Sequence, residues 1–173
     1  MGVTESEKPV VRVNLISPEY FPVLRIPLSQ GRLWDHAETM RGAPVAVINQ
    51  TMARQYWPKG DAIGRQLRIP GLKNEPPYQP AAAGSEGWLQ IVGVVADARN
   101  DGLRNPIKPA VYLPYSLHMW MFTQILVRAR VPPLSLLRAV RAELVQIDKD
   151  QQVMRVRDLE TWITDMPGTS SSR

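Results

Sequence analysis

The chain reads as an α+β fold, and three observations carry that reading. Trp88 to Ala96 is a run of mostly apolar, β-rich residues of the length of a buried strand. Leu137, Val140, Leu144 and Ile147 step by three, four and three, which lays one apolar stripe along a helix. Around these, short strand-like and helix-like segments alternate irregularly, with no internal repeat.

The elements follow in order. Val10 to Ile16 alternates and is β-rich, so it is expected as a strand. Ser17-Pro18-Glu19 opens a short helix, with Ser17 as N-cap and Pro18 at the first helical position. Pro22 and Pro27 crowd that helix, which ends near Leu24. Val45 to Ile48 is an apolar strand, and Asn49 caps a helix through Met52, Ala53 and Tyr56 that Pro58 stops. Gly64 to Ile69 reads as the next strand. Residues 70–87 carry prolines, glycines and Ala81 to Ala83, the composition of a mobile loop. In Trp88 to Ala96, Gly93 marks a bulge. Ala110 to Leu113 and Phe122 to Ala129 are further strands. Pro132-Pro133 opens the striped helix, whose Arg138, Arg141 and Gln146 fall on the wet side. Val153 to Val156 is a last strand, and Asp158 caps a short helix through Leu159, Trp162 and Ile163. Residues 1–9 and 167–173 are small and polar and read as flexible ends.

Composition narrows the function. The 173 residues suit one domain or two small lobes, and 44% hydrophobic residues suffice for a core. The formal net charge of +5 is spread from Arg12 to Arg173 and not gathered into one stripe, which argues against nucleic acid as a partner. With no cysteine, disulfides, thiolate catalysis and cysteine zinc sites are excluded. No apolar run approaches the roughly 20 residues that span a bilayer, and the polar, acidic start Met1 to Ser6 is not expected to act as a signal peptide.

The residues that could carry chemistry do not form a signature. His36 and His118 are far apart in sequence, with no serine or aspartate set around either in a known local pattern. Asp35, His36 and Glu38 are metal-ligating types at a spacing that matches no ligand motif, and a solvated loop is the plainer reading. Asp148 and Asp150 begin like a calcium loop, but the required glycine and glutamate are Val153 and Leu159. Gly31-Arg32 and Gly60 to Gly64 lack the frame of a phosphate loop. Trp34, Trp57, Trp88, Trp120 and Trp162 read as core or lobe-interface anchors. No residue is assigned a catalytic, cofactor-binding or metal-binding role, and no cofactor is expected.

Several segments in order resemble the MacB-like periplasmic core domain of ABC-type (MacB/FtsX-like) permeases. Ser17 to Pro27 is similar to S-P-x-Y-F-x-x-L-x-I-P, and Gly31-Arg32 to the G-R-x-F/W turn that follows. Val45 to Pro58 resembles V-A-I-V-N-x-x-x-A-R-x-x-W-P. Asp61 to Arg65 resembles D-P-I-G-K/R, with Ala62 in place of the proline. Ile91 to Asp97 resembles I-V-G-V-V-x-D, and Val111 to Tyr115 resembles x-Y-x-P-Y. The resemblance spans residues 10–165 and is nearest to the second extracytoplasmic domain of duplicated permeases of unassigned substrate.

The resemblance implies two lobes: a mixed α/β lobe inserted at about 20–116, and a βαβ porter-like lobe built from 10–16 and 121–165. The stretch that opens the porter-like lobe in the family is missing before Val10, so that lobe is expected to be incomplete and to self-associate through its uncovered strands. The implied function is non-catalytic. The domain faces the periplasm or exterior, tethered by transmembrane helices of its own permease. It relays motion driven by a cytoplasmic ABC ATPase to a periplasmic adaptor or other envelope protein. The alternatives are a small-ligand or peptide-binding module with 70–87 as a lid, and a hydrolase using His36 or His118.

Overall fold

The computed structural model describes residues 11–69, 87–99, 105–118, 123–150 and 155–159. The chain divides into two compact units, Met1–Ala98 with Pro106–Gln124, and Arg99–Asn105 with Ile125–Arg173. The 70–87 loop expectation falls on residues that, apart from Gly87, lie outside this description, as do Trp120 and Trp162.

The first unit is built on one mixed sheet. Its elements are β1 (Arg12–Ile16), α1 (Tyr20–Leu24), β2 (Leu28–Gly31), α2 (His36–Met40), β3 (Val45–Asn49), α3 (Gln50–Tyr56), β4 (Gln66–Arg68), β5 (Trp88–Val95) and β6 (Ala110–Pro114). A 3-10 turn over Tyr115–Leu117 follows. The strand order is β1-β6-β3-β5-β2, and β4 also pairs with β5. β3 runs parallel to β5, and β1 parallel to β6. β2 and β4 pair antiparallel with the two halves of β5, β4 at Trp88 to Gln90 and β2 at Gly93 to Val95.

Both faces of this sheet are covered along β3 and β6, which therefore read as largely apolar runs rather than as alternating ones. On one face Val45, Val47, Val95 and Tyr112 pack with Phe21 and Trp34. On the other, Ala46, Ile48, Ile91, Val94, Val111 and Leu113 pack with Met52 of α3, Ala62 and Leu117. Phe21 sets its ring edge-on to Tyr112 at 5.2 Å and to Trp34 at 5.9 Å; such pairs add about 0.5–1.5 kcal/mol each beyond burial.

The bulge expected at Gly93 is present. Ala46 pairs with Ile91 but Val47 pairs with Gly93, so Val92 is the extra residue. One added residue reverses the alternation. That is why Leu89, Ile91 and Val94 share one core while Val92 and Val95 share the other.

Three expectations change. The first short helix begins at Tyr20, with Glu19 at its N-cap and no side-chain cap, instead of at Pro18 under Ser17. It ends where Arg25 turns left-handed at φ 57, with Ile26 donating to the Phe21 carbonyl and Arg25 to that of Pro22. Second, β1 lies beside β6 in the first unit and not with the segments after 121. Strand propensity marks a segment as extended but does not name its partner; β1 therefore is not a strand left without one. Third, residues 123–129 and 155–156 carry no strand, while 153–154 lie outside the described residues.

In the second unit Pro132-Pro133 opens a 3-10 turn over Pro133–Leu136 that runs into α4 (Leu137–Ile147). The expected stripe is covered only in part. Leu137, Val140 and Leu144 are half-buried while Arg138, Arg141 and Gln146 are exposed, but no α4 residue is fully buried and Ile147 is 81% exposed. Asp148 then accepts the Asp150 amide at 2.9 Å, an Asx turn. Of the final helix, only Leu159 is described.

Candidate functional site

The two ends of β3 and β5 differ, and the difference locates the site. At the C-terminal end, side chains close the structure. Asn49 is buried; its Oδ1 accepts from Met52 N at 2.9 Å and Ala110 N at 3.0 Å, and its Nδ2 donates to the Lys108 carbonyl at 2.9 Å. One side chain thus caps α3 and pins the start of β6. Just beyond β5, Asp97 accepts from Thr51 N at 2.8 Å, Thr51 Oγ1 at 2.9 Å and Arg54 Nη2 at 2.8 Å. Two first-turn amides of α3 are satisfied in this way. These residues are structural ties.

The N-terminal end is open. Gln66 pairs with Gln90 and Arg68 with Trp88, so all four side chains share one face of the β4–β5 pair. Their neighbours Leu67 and Leu89 point into the core on the other face. All four are exposed, Trp88 by 46%, and the Arg68 guanidinium lies 5.8 Å from the centre of the Trp88 indole. Here none of the described helices covers the face that carries these four side chains. One wall is the turn from α2 into β3, Arg41 to Pro44; another is Arg32 with Glu38. The result is an open groove of about 540 Å³.

The wall is organised around Glu38. Asp35 Oδ1 accepts the Glu38 amide at 2.7 Å and Glu38 Oε2 accepts the Asp35 amide at 3.1 Å, a reciprocal capping box for α2. The same carboxylate takes the Arg32 fork, Nη1 to Oε2 at 2.7 Å and Nη2 to Oε1 at 2.8 Å, and Arg41 Nη2 lies 3.3 Å from Oε1. Arg32 above all, with the Asp35 amide and Arg41, holds the Glu38 carboxyl below the usual carboxylate range, and burial opposes them. Glu38 is buried while both guanidinium groups are more than half exposed. A single buried anion therefore fixes two cations at the rim.

Asp35, His36 and Glu38 belong to the start of α2, where two of them form the cap; the D-x-x-E spacing was the signal for a helix start there. His36 is exposed at the first helical position, and His118 is half-buried after the 3-10 turn. Among the described residues no cluster of three histidine, aspartate or glutamate side chains is placed to hold a metal ion, and no helix is long and apolar enough to cross a membrane. The floor of Gln66, Arg68, Trp88 and Gln90 had no motif to announce it, since it depends on β4 pairing with β5. The arrangement can hold a ligand by charge, amide hydrogen bonds and an aromatic surface.

Comparison with known proteins gives this fold a setting. The family model of the MacB-like periplasmic core domain matches residues 2–147. No curated protein matches the chain. The periplasmic region of MacB from Actinobacillus actinomycetemcomitans is similar in fold, with a TM-score of 0.53 at 16% identity over 78% of this chain and 56% of that one. The extracellular domain of the noncanonic ABC-type transporter YknZ from Gram-positive bacteria gives 0.42 at 17% identity over 61% and 43%. The chain thus spans about half the length of these structures.

Proposed function

Because the chain belongs to the MacB-like periplasmic core domain family, we propose that it works as a non-catalytic extracytoplasmic domain that relays motion between membrane helices and envelope partners. In this reading transmembrane helices of its own permease tether it outside the inner membrane. A cytoplasmic ABC ATPase drives those helices, and an adaptor or other envelope protein receives the motion.

One observation supports the relay above all. The central strands of the first unit's sheet are covered on both faces, and the sheet is tied at one end by Asn49 and Asp97. Packed interiors of this kind transmit strain instead of absorbing it. The other end of β5 carries exposed polar and aromatic groups on which a partner can act.

The test uses the full-length permease with its ATPase. Replacing residues 11–147 by a flexible Gly/Ser linker is expected to leave basal ATP hydrolysis in place while abolishing the permease's output in cells. Normal output from the linker variant would overturn the relay.

A further inference from the structure

We propose that the groove at the N-terminal end of β5 is a docking site for an extended, acidic peptide segment of an envelope partner. The inference rests on the relay reading and names the chemistry of the partner that reading requires.

Each part of the groove selects for one feature of such a segment. Arg32 and Arg41 stand on the wall with side chains more than half exposed, and Arg68 lies beside Trp88 at the edge of the groove; among the described lining residues Glu38 is the one anion, and it is buried. The surface offered to a ligand is therefore cationic, and planar guanidinium groups match carboxylates. Gln66 and Gln90 lie opposite one another in the β4–β5 pair, and each carboxamide both donates and accepts. That suits the alternating N–H and C=O groups of an extended backbone. Trp88, nearly half exposed, supplies an aromatic surface for an apolar side chain between the acidic ones. The groove is open beside the β4–β5 pair, whose Gln66, Gln90 and Trp88 line it, a shape that an extended segment can follow.

Glu38 acts as a positioning residue. It forks Arg32 and draws in Arg41, so the cations are placed before a ligand arrives, which lowers the ordering cost of binding.

The experiment uses the full 173-residue chain and a fluorescein-labelled short peptide alternating glutamate with leucine, read by fluorescence anisotropy. A control peptide has every glutamate replaced by glutamine. Saturable binding of the acidic peptide, weakening as salt is added, is expected. Trp88→Ala should weaken it about tenfold or more, in line with aromatic anchors at interfaces. Arg41→Gln and Arg68→Gln should each weaken it about threefold, the worth of one exposed ion pair. Trp88 and Arg68 are exposed and lie outside the Glu38 ion pairs, so these two variants should keep the parent melting temperature. Equal affinity for the glutamine peptide, or wild-type binding by the Trp88 and Arg41 variants, overturns the proposal. So does binding to phosphatidylglycerol vesicles in the absence of peptide binding, which would assign the surface to the membrane. A negative peptide result leaves the linker-replacement outcome unchanged, so the docking site and the relay fail separately.

Discussion

Gly31 and Gly93 sit opposite one another across β2 and β5, and neither has room for a side chain. A Cβ on Gly31 would lie 2.3 Å from the Val92 carbonyl oxygen, and one on Gly93 would lie 2.2 Å from that of Arg32. Gly31 also adopts φ +71, which costs little only for glycine. The close approach lets Arg32 N donate to the Val92 carbonyl at 2.9 Å, and so holds Arg32 beside Glu38.

Gly93→Ala should therefore cost about 2–3 kcal/mol, because the clash is with backbone and cannot be relieved by a rotamer. Urea unfolding measures it. The same variant should weaken the acidic-peptide probe, since the atom displaced belongs to Arg32. A loss below about 0.5 kcal/mol would show that β2 can move aside.

Asn49→Ala should cost about 3 kcal/mol. It removes the N-cap of α3, worth about 0.5–2 kcal/mol, and takes the acceptor from the buried Ala110 amide, at about 1–3 kcal/mol if that amide stays dry, while the Lys108 carbonyl loses the Asn49 donor. Asn49→Asp should recover part of this, because it keeps the acceptor for Met52 and Ala110 while losing the donor to Lys108. Chemical denaturation of the pair separates cap from donor; equal losses in both variants would contradict the assignment.

Glu38 makes stability depend on pH. Its carboxyl is held below the ordinary value of 4.5, so the folded state binds this proton less readily than the unfolded chain. The resulting stabilisation is fully present above pH 4.5 and fades as pH falls through the lower folded value. Thermal melts of the parent chain should decline over that acid range, and Glu38→Gln should be less stable at neutral pH with a flatter acid limb. Parallel curves for the two proteins would exclude Glu38 as a source of the decline.

Leu144→Ala should cost about 1–2 kcal/mol, less than the roughly 2–5 kcal/mol of a fully buried leucine. Its stripe on α4 is only half-buried, and at 81% exposure Ile147→Ser should be nearly neutral. A loss above about 4 kcal/mol for Leu144→Ala in denaturant melts would mean that the stripe is covered in solution.

Elements whose physics is local were legible in the order of the residues. Asn49 before Met52, Ala53 and Tyr56 announced a capped helix. Val45 to Ile48 and Trp88 to Ala96 announced buried strands. The spacing of Leu137, Val140 and Leu144 announced the drier side of α4 as far as Leu144 but not at Ile147, and Gly93 announced the bulge. The motifs from Ser17 to Tyr115 were sufficient to indicate the family. Only the tertiary structure decided partners and surroundings. That β1 pairs with β6 follows from a choice among extended segments, which strand propensity does not make. That Trp88, Arg68, Gln66 and Gln90 share one exposed face follows from the β4–β5 register, in which Arg68 meets Trp88, 20 positions on, and Gln66 meets Gln90, 24 positions on. The depth of α4's burial depends on what packs against it, which its own periodicity does not encode. Hydrogen bonds within a turn are set by adjacent residues; burial and charge clustering are set by distant ones, and they come into being only when the sheet closes.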